Sequence, residues 1–171
     1  MDRQQLQAAQ LPIKERYRAH PAAARITLRA GGELDSQEVA CSVATGRALV
    51  EAGLHPGTGG SGELACSGDM LLQALVACAG VTLRSVATSL EMAVGGRVRA
   101  EGDLDFRGTL GVDREAPVGF SAIRLFLELA TDATDDQLAT LVRLTERYCV
   151  VYQTLRGGVD LTVSTVRLPA S

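Results

Sequence analysis

Four cysteines are the residues of this chain best equipped for chemistry: Cys41, Cys66, Cys78 and Cys149. Cys78 lies in the apolar run "DMLLQALVACAG" (69–80), with no charge beside it, and Cys149 in "TERYCVVYQTL" (145–155). A thiolate is a nucleophile, a metal ligand and a redox centre, whereas a neutral buried thiol is packing. Free cysteine is among the most buried residue types, so each one taken singly reads as packing. Cys66 is a rival reactive thiol, because it stands just before a helix start, where the dipole favours a thiolate. On residue chemistry alone Cys66 and Cys78 are not ranked.

Other uses of these thiols find little support. No C-x-x-C is present, and the two histidines, His20 and His55, do not cluster with the cysteines at the short spacings of a zinc site. A cysteine hydrolase needs a general base, and His55 beside the Gly-rich loop is the sole candidate. The stretch "GLHPGTGGSGELACSG" (53–68) lacks the G-K-[ST] ending of a phosphate loop, and no G-x-G-x-x-G joins a strand to a helix. No metal and no organic cofactor is expected. The formal charge of −3 and the absence of a Lys/Arg cluster with interleaved aromatics argue against a nucleic-acid partner. The polar opening "MDRQQLQAAQLPIKERYR" does not read as a signal peptide, and the apolar stretch 70–79 is too short for a membrane span. The cytoplasm, where thiols stay reduced, is the expected compartment.

The elements that must position the thiols follow from pattern. At 171 residues, 46% apolar and 22% charged, the chain fits one domain with one substantial core. Residues 1–24 read as a polar arm, helical on either side of Pro12, ahead of a domain over 25–171. "RITLRA" (25–30) alternates as a strand, "GGELDSQ" reads as a turn or hairpin link, and "EVACSVATG" (38–46) as a second strand with Val39, Cys41 and Val43 on one face. The Gly-rich stretch 53–68 reads as a loop. A long helix follows over about 68–92, with Ser67 as N-cap and Asp69 at its positive end. It is apolar nearly all round from Met70 to Val81, which requires burial on every side, within the domain or between two chains. Strands are expected in 95–111 and 120–132, where Ile123, Leu125, Leu127 and Leu129 alternate, with Pro117 in the link between them. A second helix spans 131–155, capped by Thr134, with Leu138, Leu141, Val142, Thr145, Cys149 and Tyr152 on its inner face. A last alternating strand is expected at 156–168. The class is α+β.

Each long helix thus carries one inward cysteine. Helices packed on a common sheet lie about 10 Å apart, so Cys78 and Cys149 can touch despite the 71 residues between them. A disulfide needs Cα atoms within about 7 Å, which spacing leaves open.

At these two motifs the sequence resembles the OsmC/Ohr family of osmotically inducible and organic hydroperoxide resistance proteins. "SGDMLLQALVACAGVTL" is similar to the family's central-helix motif, and "ERYCVVYQTL" to its second cysteine motif. The order of elements over about 25–168 agrees. The resemblance implies an OsmC-like fold, with antiparallel sheets, two long helices and an intertwined homodimer. It implies thiol-dependent reduction of organic hydroperoxides, with Cys78 attacking, Cys149 resolving and an external dithiol as reductant. It implies an arginine held by a carboxylate beside the thiolate. The carboxylate falls on Asp69, and Arg25 is taken for the arginine, with Arg18 and Arg47 as the other candidates. Nine residues of helix separate Asp69 from Cys78, half a revolution and about 13 Å. Either the helix begins after Asp69, or a partner chain supplies the carboxylate. Departures from the family pattern are Asp69 for the usual Glu, Ser67 for a Pro, Gly68 beside it, and Val150 for the Pro that follows the second cysteine. The competing function is a non-enzymatic dimer of the same fold that binds a hydrophobic ligand or senses redox state.

Overall fold

The computed structural model describes residues 2–20, 32–34, 40–44 and 49–167. The expected strand at 25–30, Arg25 and Arg47 lie outside the described residues, as does the side chain of Arg18.

The N-terminal arm is one helix, α1 (Arg3–Ala19), with Pro12 inside it. Its first turn is tied to the body by an ion pair from Arg3 to Glu91 at 2.7 Å. Three short strands follow: β1 (Gly32–Leu34), β2 (Ala40–Ala44) and β3 (Leu49–Gly53). β1 pairs antiparallel with β2, so part of the expected "GGELDSQ" turn is strand. β3 pairs antiparallel with β2 in the register Ala40↔Gly53 to Ala44↔Leu49. The sequence reading missed β3, whose five residues "LVEAG" are too few to show a period. The Gly-rich stretch is a loop with a 3₁₀ turn at Pro56–Thr58. It ends in β4 (Ala65–Cys66), parallel to β3.

β4 passes directly into the central helix α2 (Ser67–Ser89). Cys66 occupies the N-cap position without a side-chain cap, and Ser67 is already helical, which corrects the expected cap by one residue. Asp69 lies in the first turn, where a carboxylate suits the helix dipole. Burial on α2 is a single stripe, Leu75, Ala79, Leu83 and Ala87, spaced by four. Leu71 and Val81 remain exposed, Val81 at 73%, so the all-round burial expected from composition does not occur within one chain. α2 is also the one described helix long and apolar enough to cross a bilayer. Its stripe instead packs against α4, α5 and β5.

β5 (Gly95–Asp103) and β6 (Ala122–Ala130) form an antiparallel hairpin, joined by a loop containing the short helix α3 (Phe106–Thr109). Val98, Ala100, Ile123, Leu125, Leu127 and Leu129 share its inner face. The outer face pairs opposite charges across the strands. Arg124 grips Asp103 at 2.5 and 2.7 Å, Glu128 accepts from Arg97 and Arg99, and Arg99 lies 3.7 Å over the Phe126 ring. The core is built from Leu83, Ala87, Val94 and Leu141, with Leu127, Leu129 and Leu138 packed on it. Ala79 and Ala87, both at zero exposure, let the neighbouring helix approach closely.

The second long helix is broken. α4 (Asp135–Tyr148) starts on a full capping box, in which Thr134 accepts from the Gln137 amide and Gln137 returns to the Thr134 amide. It ends at Cys149, and α5 (Val150–Gly157) begins at once. Among the described residues the expected final strand does not form. Residues 158–167 are irregular and exposed, including Val159, Leu161, Val163 and Val166.

Candidate active site

The break between α4 and α5 places the second thiol. Cys149 serves as C-cap of α4 and N-cap of α5, with φ −74° and ψ 109°. Its amide still donates to the Thr145 carbonyl at 2.9 Å, and its carbonyl accepts from the Gln153 amide at 3.0 Å. The Gln153 side chain bridges the break, donating to the Glu146 carbonyl at 2.8 Å. That bond satisfies one of the carbonyls that a helix end leaves unpaired. Cys149 is 1% exposed, and one turn before it the buried Thr145 hydroxyl donates to the Leu141 carbonyl at 2.8 Å.

The structure brings Cys78 and Cys149 together. They lie near enough for each to bear on the other's ionisation, and both are free. Cys78 lies on α2, half-buried, one residue from the core stripe. Burial opposes its ionisation, but the Val151 amide, the Cys149 thiol, the Val150 amide and the Thr82 hydroxyl outweigh it, so its pKa falls below the ordinary thiol value. The two amides belong to the first turn of α5, whose N–H groups have no carbonyl partner inside that helix. Cys149 behaves oppositely. Burial raises its pKa first, and the neighbouring Cys78 raises it further, against the Tyr152 and Val151 amides. The surroundings thus favour the thiolate at Cys78 and the neutral thiol at Cys149.

Two adjoining cavities open on the Cys149 side of the pair, and Cys78 lines neither. Cys149 lines one of about 390 Å³ with Ala79, Leu127, Val142, Thr145 and Glu146. A larger cleft of about 600 Å³ is walled by Leu71, Leu75, Phe120 and Leu155, with Arg156 as its one charged lining residue. Ile123, Leu125 and Tyr152 line both, so the wall between the thiol cavity and the cleft is apolar apart from the Tyr152 hydroxyl.

The remaining candidates stand elsewhere. Asp69 is exposed and already inside α2, which removes the possibility that the helix starts after it. It is about 13 Å along the axis from Cys78 of its own chain. Cys66, at the helix start, is about 18 Å away by the same rise. Arg25 is outside the described residues. His55 is engaged as a turn cap, its Nδ1 accepting from the Gly57 amide at 2.9 Å and its ring 4.9 Å from that of Phe106. Among the described residues no three His, Cys, Asp or Glu side chains converge. The sequence reading missed Thr82 and the α5 amides. Thr82 is legible in retrospect from its place four residues after Cys78; the amides are not, because no Pro or Gly marks the break.

A family model described as OsmC-like protein matches residues 60–164, which contain both cysteines and every element that holds them. The chain belongs to the OsmC-like family. Solved structures agree in fold. An OsmC-like protein from Mycoplasma pneumoniae superposes with a TM-score of 0.64 at 15% identity, over 78% of this chain and 89% of that one. An organic hydroperoxide resistance protein OsmC from Legionella pneumophila gives 0.58 at 17% identity, over 80% and 94%. An organic hydroperoxide resistance protein from Elizabethkingia anophelis gives 0.55 at 17%, over 80% and 93%. No curated protein matches the chain. At these identities the likeness is one of fold, so the OsmC-like family supports a peroxide-related redox role in general, while the chemistry of this member rests on its own thiols.

Proposed function

We propose that this OsmC-like protein reduces organic hydroperoxides with Cys78 as the attacking thiol and Cys149 as the resolving one. The observation that carries the reading is the contact of two free thiols whose pKa values are pushed apart, Cys78 down and Cys149 up. The Cys78 thiolate attacks the terminal peroxide oxygen. The O–O bond breaks, the alkoxide takes a proton and leaves as an alcohol, and Cys78 becomes a sulfenic acid. The Cys149 sulfur then attacks the Cys78 sulfur, its proton leaves with the hydroxyl as water, and a disulfide forms. An external dithiol returns both thiols by exchange. The apolar wall of Ile123, Leu125 and Leu127 in the Cys149 cavity favours an alkyl or acyl hydroperoxide over a small, strongly hydrated one.

The resemblance assigns a supporting arginine to Arg25 and its carboxylate to Asp69. Asp69 serves only from a second chain, given its distance along α2. A homodimer suits that requirement. It also supplies a partner for the alternating residues Val159, Leu161 and Val163, which stand in solvent at 59%, 88% and 92%.

The test is a thiol count on the reduced protein before and after one equivalent of cumene hydroperoxide. Wild type should lose two thiols within seconds. Cys78→Ser should lose none, and Cys149→Ser should retain a dimedone-reactive sulfenic acid at Cys78. Survival of the thiols in wild type, or dependence on Cys66 alone, sinks the reading and leaves a ligand-binding dimer of the same fold.

A further inference from the structure

Tyr152 follows Cys149 by three residues and Arg156 follows it by seven, so the three fall on one face at the start and along the length of α5. That face borders two spaces in succession. Cys149 and Tyr152 line the cavity of about 390 Å³, and Tyr152 and Arg156 line the cleft of about 600 Å³. Ile123 and Leu125 of β6 run along both. The rise of the helix puts the Arg156 backbone about 10 Å from that of Cys149.

The larger space has the size of a small-molecule site, which spans about 300–1,000 Å³. Leu71 and Leu75 of α2, the two β6 residues and Leu155 of α5 give it apolar walls. Among the described residues that line it, Arg156 is the charged one. Apolar walls with one cation match a molecule that has an aliphatic tail and a singly charged anionic head. A guanidinium receives a carboxylate through two parallel N–H donors. One cation balances one negative charge, which favours a carboxylate over a phosphate monoester. Arg156 also stands in the last turn of α5, where a cation suits the helix dipole. That second role shows in stability, whereas recognition of a head group shows in affinity.

We propose that this cleft binds an aliphatic monocarboxylate, with the tail along the leucine walls and the carboxylate on Arg156, and that Arg156 thereby selects carboxylate-bearing hydroperoxides over neutral ones. The carboxylate site stands on the cleft itself; the selection among hydroperoxides rests on the peroxidase reading above. Within that reading the peroxide lies at the Cys149 end of the face and the carboxylate about 10 Å along α5, which fits a long-chain acid oxidised in mid-chain.

The test compares two ligands with one tail, decanoate and 1-decanol, by calorimetric titration of the full reduced chain. Wild type should bind decanoate about tenfold more tightly than 1-decanol. Arg156→Gln should lose that difference with its affinity for 1-decanol unchanged. Leu155→Gln should weaken both ligands alike. Raising the salt from about 20 to about 500 mM should weaken decanoate alone. Equal affinities in wild type, no binding of decanoate, or an undiminished preference in Arg156→Gln overturns the proposal. A lower melting temperature in Arg156→Gln with both affinities unchanged overturns it too, and leaves Arg156 to the helix dipole.

The selection is read from the rate of thiol loss with the hydroperoxide of linoleic acid and with that of its methyl ester. Wild type should favour the acid, and Arg156→Gln should treat the two alike; equal rates in wild type overturn the selection. Decanoate binding in a protein whose thiols survive every hydroperoxide upholds the carboxylate site and removes the peroxidase reading, together with the selection that rests on it. Loss of two thiols in a protein that binds no decanoate overturns the site and leaves the peroxidase reading in place.

Discussion

Replacing Val150 with proline isolates one backbone donor. Val150 is the first residue of α5, a position that tolerates proline because its N–H has no helical partner to lose. The preceding residue, Cys149, already sits at φ −74° and ψ 109°, in the extended region that a following proline requires. The Val150 side chain is 70% exposed, so little packing changes. What the substitution removes is a backbone N–H that helps hold the Cys78 pKa down. A hydrogen bond to a charged group is worth about 1.5–3 kcal/mol. Solvent screening at a half-buried sulfur reduces that to about 1 kcal/mol, a factor of about five in the thiolate population. The lowered pKa of Cys78 means that reactivity is present above that pKa and is lost as pH falls through it. Val150→Pro therefore begins to lose reactivity at a higher pH than wild type does. Stopped-flow alkylation of Cys78 should show about a fivefold lower rate near pH 7, converging with wild type in alkaline solution. The melting temperature should hold or rise, since proline lowers the entropy of the unfolded chain by about 0.4–1 kcal/mol. An unchanged alkylation profile in a protein of unchanged melting temperature refutes the assignment of the α5 amides to thiolate stabilisation. The outcome bears on the family resemblance too, because proline is the residue that resemblance places after the second cysteine.

Three further outcomes test the frame around the thiols. Thr134→Ala removes the hydroxyl of the α4 capping box and should lower stability to urea by about 1 kcal/mol, with the thiol chemistry intact. Gly96→Ala puts a Cβ 2.0 Å from the Glu128 carbonyl oxygen at a residue with φ +119°. Backbone must shift to accept it, so the loss should exceed about 2 kcal/mol and the β5–β6 amides should lose hydrogen-exchange protection. The double variant Leu161→Asp, Val163→Asp changes two strongly exposed side chains. It should convert a dimer into a monomer in analytical ultracentrifugation while the helical circular dichroism persists; a wild type that sediments as a monomer at micromolar concentration refutes the homodimer.

Periodicity by itself determined much of this protein. The inner face of β6, the start of α4 at Thr134 and the burial of Cys149 on the helical period all rest on local rules, since a strand alternates by two, a helix by 3.6, and a cap needs one oxygen at one position. Two motifs 71 residues apart carried the family as well. Tertiary structure decided the rest. Composition demanded burial on every side of α2, yet one chain offers only the stripe from Leu75 to Ala87, because each neighbour covers one face. The alternating residues of 158–167 form no strand, because a strand needs an edge to pair with and hydrophobic alternation supplies none. The break at Cys149 carries no Pro or Gly. Helix propensities differ by tenths of a kcal/mol per residue, too little to end a helix there. The break is spanned by a contact that exists only in the fold, the Gln153 side chain on the Glu146 carbonyl. Sequence placed two thiols on the inner faces of two helices; which of them ionises depends on donors brought in from across the core.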